Sequence, residues 1–300
     1  MPGRKSSHPA KPKRGRGLQL VVWIVGLALA FGAGYVWHSL KKQEKSPPTA
    51  SLPLFEERVY KEISPTPKTE PSGGPPPSPG RDLPKVAIVI DDLGYQKQMA
   101  VDFIDLDIPL TLSFLPQAPF AKEMANHAFQ KGKETLLHLP MEPKAYPETD
   151  PGPGALLTSM TDGEIQKILE KDLDAFPQIT GVNNHMGSRF TEDQDKMAVV
   201  LKTIKGRKLF FLDSRTTPQS AVLSVASLVG VKAIRRDIFL DHVSEKMAIG
   251  QQLEELIRLA QERGLAVACG HPYPQTLQAI KEKMSDLRDK VRLVPLSDLL

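Results

Sequence analysis

The stretch KVAIVIDDLGYQ, Lys85–Gln96, decides the fold of this chain and raises its main chemical question. Its apolar residues run from Val86 to Ile90 and stop at two adjacent carboxylates, Asp91 and Asp92. A short, continuous apolar run bounded by turn residues is typical of a buried strand in a parallel sheet. Adjacent acids repel each other and resist burial, so we expect the end of this strand to offer them solvent, a metal ion or a catalytic proton.

From Lys85 to the C-terminus, short apolar runs alternate with amphipathic segments, which predicts a parallel α/β domain over residues 85–300. No glycine-rich GxGxxG motif follows the first strand and no GxxxxGK[ST] motif occurs, which disfavours a nucleotide-binding doubly wound sheet. The number of strands favours a (β/α) barrel, regular or distorted. The predicted strands are 86–91, 110–115, 134–139, 181–185, 208–213, 232–235, 265–269 and 291–294, and the predicted helices are 97–105, 118–131, 161–175, 193–205, 218–229, 244–263 and 274–284.

The N-terminal region predicts a membrane anchor. Residues 1–17 form a basic tail, and residues 18–37, LQLVVWIVGLALAFGAGYVW, contain no charged side chain. An apolar stretch of about 20 residues is long enough to cross a bilayer as a transmembrane helix. By the positive-inside rule we expect a single-pass protein of the inner (cytoplasmic) membrane, with its C-terminal domain outside the cytoplasm in the periplasm or extracellular space. A cleaved signal peptide is the alternative, and it exports the same domain.

Composition limits the partners of this chain. Residues 38–84 are rich in proline, which predicts an extended, disordered linker between the membrane and the domain. The formal net charge is +4, and because the basic tail supplies this excess we expect no nucleic-acid partner. The one cysteine, Cys269, excludes a disulfide within the chain.

Polar side chains follow most of the predicted strands. Three histidines, His138, His185 and His271, come directly after apolar residues in three different strands. A single strand-end Asp is usually a turn or cap residue, but the carboxyl ends of parallel strands meet at one end of the fold. Converging there with Asp91 and Asp92, the histidines match the ligand set of a catalytic zinc or similar divalent ion. One carboxylate can bind the ion while its neighbour stays free as a base for a water molecule.

Five segments, in order along the chain, carry a resemblance to a known family: IVIDDLGY, LLHLPMEP, NNHMGSRFT, FLDSRTT and CGHPYP. They resemble the divergent polysaccharide deacetylase family, which is related to the NodB-homology polysaccharide deacetylases. The resemblance covers residues 85–300 and implies a distorted (β/α) barrel. It also implies a hydrolase that uses a divalent metal ion, zinc above all, to remove N- or O-acetyl groups from a glycan. An envelope or cell-wall polysaccharide such as peptidoglycan is the expected substrate.

The resemblance also implies the metal ligands and the base. By position, Asp91 matches the catalytic base and Asp92 the metal-binding acid of the family, and His138 matches its first metal-binding histidine. Glu142 stands where the family has a second metal-binding histidine, which is a departure. Either Glu142 binds the ion itself, or His185 on the next strand supplies the missing imidazole.

The remaining roles follow from the later segments. His271 matches the late histidine of the family, which is its general acid. Arg189 occupies the place of the family's R-x-P-Y arginine and is expected to stabilise the oxyanion, and Asp213 stands where the family often has an orienting acid. Asn183 or Asn184 can orient a ligand or bind substrate. The expected substrate-binding residues are Asn184, Ser188 and Tyr273.

Two alternatives remain open from the sequence. The departures at Glu142 and Arg189 are compatible with an inactive member that serves as a glycan-binding or envelope scaffold domain. A different metal-dependent hydrolase of the same architecture would need more carboxylates, because a two-metal site holds its ions about 3.5–4 Å apart. The strand-end acids available for such a site are Asp91, Asp92, Glu142, Asp213 and Asp241.

Overall fold

The computed structural model describes residues 83–300. The predicted basic tail 1–17, the predicted membrane helix 18–37 and nearly all of the predicted linker 38–84 lie outside the described residues. Within residues 83–300, every helix is too short or too polar to cross a bilayer. The fold described below therefore concerns the predicted α/β domain.

One parallel sheet forms the centre of this domain. Its strands are β1 (Lys85–Leu93), β2 (Thr111–Phe114), β3 (Glu134–Met141), β4 (Gly181–Met186), β5 (Phe210–Asp213), β6 (Ala233–Arg235), β7 (Ile238–Phe239), β8 (Leu265–Gly270) and β9 (Arg292–Leu293). The strand order is β6-β5-β4-β3-β2-β1-β8-β7, with β9 paired to β1. Every pairing is parallel, as the alternation of strands and helices predicts.

The sheet is curled, because β6 and β7 lie at opposite ends of this order but only Arg236 and Asp237 separate them. Three trans peptide steps span at most about 11 Å, so the two edges of the sheet lie close together. The backbone N–H of Arg236 donates to the carbonyl of Asp213 in β5, next to one edge strand. The backbone N–H of Asp237 donates to the carbonyl of Val267 in β8, next to the other edge strand. Strand β7 was not predicted from the sequence, since two residues are too few to show a period.

Helices follow the strands and cover the outer face of the sheet. They are α1 (Lys97–Ile104), α2 (Ala121–Gln130), α3 (Asp162–Ala175), α4 (Gln194–Gly206), α5 (Val222–Val229), α6 (Lys246–Arg263), α7 (Pro274–Glu282) and α8 (Met284–Lys290). The single helix predicted for 274–284 is thus followed by α8, which the sequence prediction did not include. The best-defined start is that of α3, where Thr161 and Glu164 form a reciprocal capping box.

Alternate residues of β1 pack into two different cores. Val86, Ile88 and Ile90 belong to the large core under the helices. Ala87 and Val89 belong to a smaller cluster, here called the inner core. Successive side chains of a strand point to opposite faces, so the inner core lies within the curl of the sheet. Its other members are Leu136, Phe210, Leu212, Val267, Cys269 and Leu296.

Candidate metal centre

Three side chains from neighbouring parts of the sheet meet at the carboxyl ends of the strands. They are Asp92 of β1, His138 of β3 and His185 of β4, and each is at most 5% exposed. Asp92 Oδ1 lies 3.0 Å from His138 Nε2 and 2.9 Å from His185 Nδ1. The two ring nitrogens lie 3.2 Å from each other. The structure therefore brings together three of the four predicted metal ligands, and the fourth, Glu142, lies outside this cluster.

The chemistry of these atoms fits a divalent cation. A tetrahedral ion with bonds of about 2.0–2.2 Å holds its ligand atoms about 3.3–3.6 Å apart, so the three atoms lie only slightly closer than such an ion requires. Among the described residues, neither carboxylate oxygen of Asp92 has an aligned hydrogen-bond partner, and neither does His185 Nε2. Buried polar atoms without partners are rare, and a bound ion would satisfy the oxygens of Asp92.

The backbone at Asp92 explains how two adjacent acids reach one centre. In a regular strand, Asp91 and Asp92 would point to opposite faces. The pairing of β1 with β2 is irregular between Ile90 and Leu93, and Asp92 has a φ of 56°, in the left-handed region. This bulge turns Asp92 towards the ring of His138 at Nε2. Asp91 Oδ1 lies 3.7 Å from the other nitrogen of the same ring, Nδ1.

Asn183 of β4 links Asp91 to His138. Its Nδ2 donates to Asp91 Oδ1 at 2.8 Å, and its Oδ1 lies 3.0 Å from His138 Nδ1. The hydroxyl of Ser113 on β2 donates to Asn183 Oδ1 at 2.5 Å. A metal-binding histidine usually donates its second N–H to such an acceptor, which fixes the orientation of the ring.

His271 approaches the centre from β8. Its Nε2 lies 3.9 Å from Asp92 Oδ2, and its Nδ1 lies 2.8 Å from Asp241 Oδ1. The other oxygen of Asp241 accepts the backbone N–H of His271 and the hydroxyl of Thr276, each at 2.6 Å. The imidazole is therefore held with Nε2 towards the centre. Sequence reasoning noted Asp241 only as one strand-end acid among several, because its contact with His271 is a tertiary one.

Charge coupling within the cluster favours an ionised carboxylate. Burial alone would raise the pKa of Asp92, but His185 and His138 outweigh it and hold this pKa well below its usual range. Burial alone would lower the pKa of His138, but the charges of Asp91 and Asp92 raise it. A cation entering the site would meet a negatively charged Asp92 and would compete with the protons of the imidazoles.

Glu142, the predicted alternative metal ligand, is engaged elsewhere in the structure. One of its carboxylate oxygens accepts the backbone N–H and the hydroxyl of Thr158, at 2.5 and 2.7 Å. The other oxygen accepts from the guanidinium of Arg189 at 3.1 Å. Arg189, predicted to stabilise an oxyanion, also donates to the carbonyl of Lys144 at 2.7 Å. The two departures from the family pattern therefore pair with each other, outside the three-residue cluster.

Asp213 and Asn184 also lie in surroundings that differ from their predicted roles. Asp213 accepts the backbone N–H of Arg215 at 2.8 Å, and burial raises the pKa of its carboxyl. The acid whose oxygens hold His271 is Asp241 rather than Asp213. The amide of Asn184 bonds to the carbonyl of Met186 and to the backbone N–H of Ser214, so it serves the backbone instead of a ligand.

The other two predicted substrate-binding residues, Ser188 and Tyr273, have different surroundings. The hydroxyl of Ser188 accepts the backbone N–H of Lys144 at 2.9 Å. The ring of Tyr273 is half-buried, and its centroid lies 5.8 Å from that of His271. Tyr273 is thus the predicted substrate contact that lies beside the candidate acid.

Comparisons with known proteins give the family. The profile of a family described as divergent polysaccharide deacetylase matches residues 88–300. The chain is 34% identical over 216 residues to the uncharacterized protein YibQ of Escherichia coli (strain K12). The matched residues make up 72% of this chain and 67% of YibQ. An uncharacterized protein of Haemophilus influenzae is 31% identical over 215 residues, covering 72% of this chain and 76% of the relative.

A solved structure supports the same assignment. The crystal structure of uncharacterized protein ATU2773 from Agrobacterium tumefaciens C58 matches with a TM-score of 0.70 and 28% sequence identity. The match covers 75% of this chain and 92% of that protein. The resemblance stated from the five sequence segments is thereby confirmed: the chain belongs to the divergent polysaccharide deacetylase family.

Proposed function

We propose that this chain is a metal-dependent hydrolase that removes acetyl groups from a polysaccharide of the cell envelope, with zinc as the metal. The observation that carries the proposal is the buried cluster of Asp92, His138 and His185, with Asp91 and His271 beside it. Membership of the deacetylase family supports a glycan substrate. The uncharged stretch 18–37 after a basic tail supports an inner-membrane anchor with the domain outside the cytoplasm.

The residues of the cluster and their neighbours have different roles in the proposed hydrolysis. A divalent ion held by Asp92, His138 and His185 would supply a Lewis acid that polarises the acetyl carbonyl and lowers the pKa of water. Asp91 takes one proton from the attacking water, whose oxygen forms the new bond to the acetyl carbon. The bond from that carbon to the sugar nitrogen or oxygen breaks, and His271 Nε2 gives the leaving atom a proton. The products are acetate and a free amine or hydroxyl.

Asp241 prepares His271 for this role. Because its carboxylate binds Nδ1, the imidazole keeps Nε2 directed at the centre, and the negative charge stabilises the imidazolium that donates the proton. We assign the predicted orienting role to Asp241, and we assign Arg189 to binding Glu142. Tyr273 is positioned to contact a sugar ring next to His271.

The proposal is tested by metal content and acetate release. The full chain is purified without chelator or histidine tag, and its zinc is measured by elemental analysis. We expect near-stoichiometric zinc, lost in His138→Ala and His185→Ala but kept in the matched control His127→Ala on α2. Acetate release from N- and O-acetylated oligosaccharides should follow the same pattern. A folded protein that binds zinc but releases no acetate would instead support the glycan-binding scaffold.

A further inference from the structure

Asn183 stands at a position that connects the two halves of the site. It is fully buried, and the register of the sheet pairs it directly with His138 on the adjacent strand. Its amide uses its whole hydrogen-bonding capacity. The oxygen meets Ser113 and His138, and the nitrogen donates to Asp91 at 2.8 Å and to Ser214 Oγ at 3.3 Å. None of these partners is a backbone group.

The chemistry of the partners fixes which way the amide points. Asp91 Oδ1 is the acceptor of this contact, so the end of Asn183 that faces Asp91 is the NH₂ group. The oxygen then faces His138 Nδ1 and can only accept. His138 Nδ1 must therefore carry a proton. In the neutral imidazole, which is the form that binds a metal, the lone pair then lies on Nε2, the atom that faces Asp92 and His185.

We infer that Asn183 is a positioning residue that prepares both reactants of the proposed hydrolysis through the two ends of one amide. Its oxygen holds His138 in the tautomer that binds a metal at Nε2. Its nitrogen holds the carboxyl group of Asp91 beside the same ring. The kinetic part of this inference rests on the proposed function, whereas the part concerning His138 requires only a bound metal.

The neighbouring asparagine shows that burial alone does not explain these contacts. Asn184 is also buried, but its amide bonds to backbone groups of Met186 and Ser214. Asn184 therefore stabilises the turn after β4. Asn183 faces the inner side of the sheet, and within residues 83–300 the hydrogen bonds of its amide side chain go to side chains of the site and to two serines.

Two substitutions separate the functions of the two ends of the amide. Leucine is close to asparagine in shape, and Asn183→Leu removes both the acceptor for His138 and the donor to Asp91. We therefore expect zinc affinity to fall about 10–100-fold, as when a partner of a metal-binding histidine is lost. Asn183→Asp keeps an acceptor for His138 but replaces the amide donor to Asp91 with a second carboxyl group, which repels Asp91. Because the contact with His138 is kept, zinc affinity should stay within about threefold of the wild type. Its kcat should fall about 100-fold, as for impaired acid–base catalysis. Asn126→Asp, at an exposed asparagine of α2, is the matched control and should change neither value by more than about threefold.

The experiment uses the full chain, zinc titration against a chromophoric chelator, and ¹⁵N NMR of the zinc-loaded protein labelled at histidine. The signal of His138 is identified by its absence in His138→Gln. A protonated Nδ1 and a metal-bound Nε2 in the wild type support the inference, whereas a metal-bound Nδ1 overturns it, even if no variant folds. A folded Asn183→Leu variant with wild-type zinc affinity also overturns it.

Failure of the proposed function gives a different result. If the wild type and all variants release no acetate, hydrolysis is rejected. The zinc affinities and the NMR signal then still decide whether Asn183 orients His138, because neither readout involves a substrate.

Discussion

Asp91 and Asp92 are chemically identical neighbours with different surroundings. Asp92 faces two imidazole nitrogens and has no aligned hydrogen-bond donor among the described residues, while Asp91 accepts from the amide of Asn183. The left-handed backbone at Asp92 produces this difference. A non-glycine residue in that region costs about 1–3 kcal/mol, which the rest of the fold has to offset.

The same substitution at the two positions should therefore have different effects. We expect Asp92→Asn to weaken zinc binding by at least about 100-fold, because the anionic ligand is lost. We expect Asp91→Asn to keep zinc within about tenfold and to lower kcat about 10²–10⁴-fold, because the base is lost. Parallel zinc titration and acetate-release assays measure both. Equal loss of zinc in the two variants would contradict the division of roles.

Strand alternation, applied more strictly, would have favoured Asn183 over Asn184 as the residue that faces the site. Val182 belongs to the large core under the helices, so Asn183 and His185 must face the inner side of the sheet and Asn184 must not. Without this parity, Asn184 was the expected substrate contact. The alternation of side chains along β4 therefore contains the information that distinguishes Asn183 from Asn184.

The same rule distinguishes Ser214 from Asp213. Leu212 lies in the inner core and Phe211 in the large core, so Ser214 continues the inner side and Asp213 the outer side. Ser214 indeed accepts from Asn183. The rule fails at Asp92, because a bulge with a left-handed residue reverses the direction of one side chain. A period of two carries no information on where such a bulge occurs.

At the scale of elements, Glu142 joins the connection between β3 and α3 to the segment that follows β4. Its carboxylate binds Thr158 near the far end of the connection and Arg189 after β4. The sequence showed an acid in place of a histidine and an arginine in an altered motif. It did not show that they pair, because 47 positions separate them along the chain.

We expect Glu142→Gln to leave zinc affinity unchanged, because Glu142 lies outside the three-residue cluster. It should lower the free energy of unfolding by about 1–3 kcal/mol, since charge-assisted hydrogen bonds to a buried acid are weakened. Chemical denaturation and zinc titration test both values, with the exposed Glu148→Gln as the control. Loss of zinc in Glu142→Gln alone would make Glu142 a ligand after all.

Helix α3 contains a buried acid that makes stability depend on pH. Burial raises the pKa of Asp172 from 3.8 to about 6, although Lys171 and a hydrogen bond from Gln117 oppose the shift. Its Oδ2 has no partner among the described residues. The folded state therefore holds this proton more tightly than the unfolded chain does. The favourable contribution is complete below pH 4 and is lost as the pH rises through about 6.

Asp172→Asn should abolish this dependence. After allowing for screening by solvent, we expect the variant to be about 1–2 kcal/mol more stable than the wild type at pH 8 and equally stable at pH 4. Thermal unfolding across this pH range measures the difference. Asp174→Asn on the same helix is the control, because Asp174 is exposed and paired with Arg207, and it should give no gain at pH 8. A gain that is constant with pH would exclude titration of Asp172 as the cause.

At the scale of the whole domain, the curled sheet has two ends with different tasks. The carboxyl ends of the strands carry the candidate metal centre. The opposite end is closed by the C-terminal residues: β9 pairs with the start of β1, and the backbone N–H of Leu296 donates to Thr111 at the start of β2. The side chain of Leu296 is fully buried in the inner core. The candidate metal ligands and the residues that close the sheet therefore lie at opposite ends of the strands.

This separation predicts that stability and metal binding can be changed independently. Leu296→Ala would leave a cavity in the inner core, so we expect a loss of about 2–5 kcal/mol in the free energy of unfolding and a fall in Tm of roughly 5–15 °C. Leu228→Ala is the control, because Leu228 is 83% exposed on α5, and its Tm should stay within about 2 °C of the wild type. Zinc affinity of the folded Leu296→Ala variant should match that of the wild type. If zinc affinity falls together with Tm, the inner core transmits the defect to the carboxyl ends, and the two ends of the sheet are coupled instead of independent.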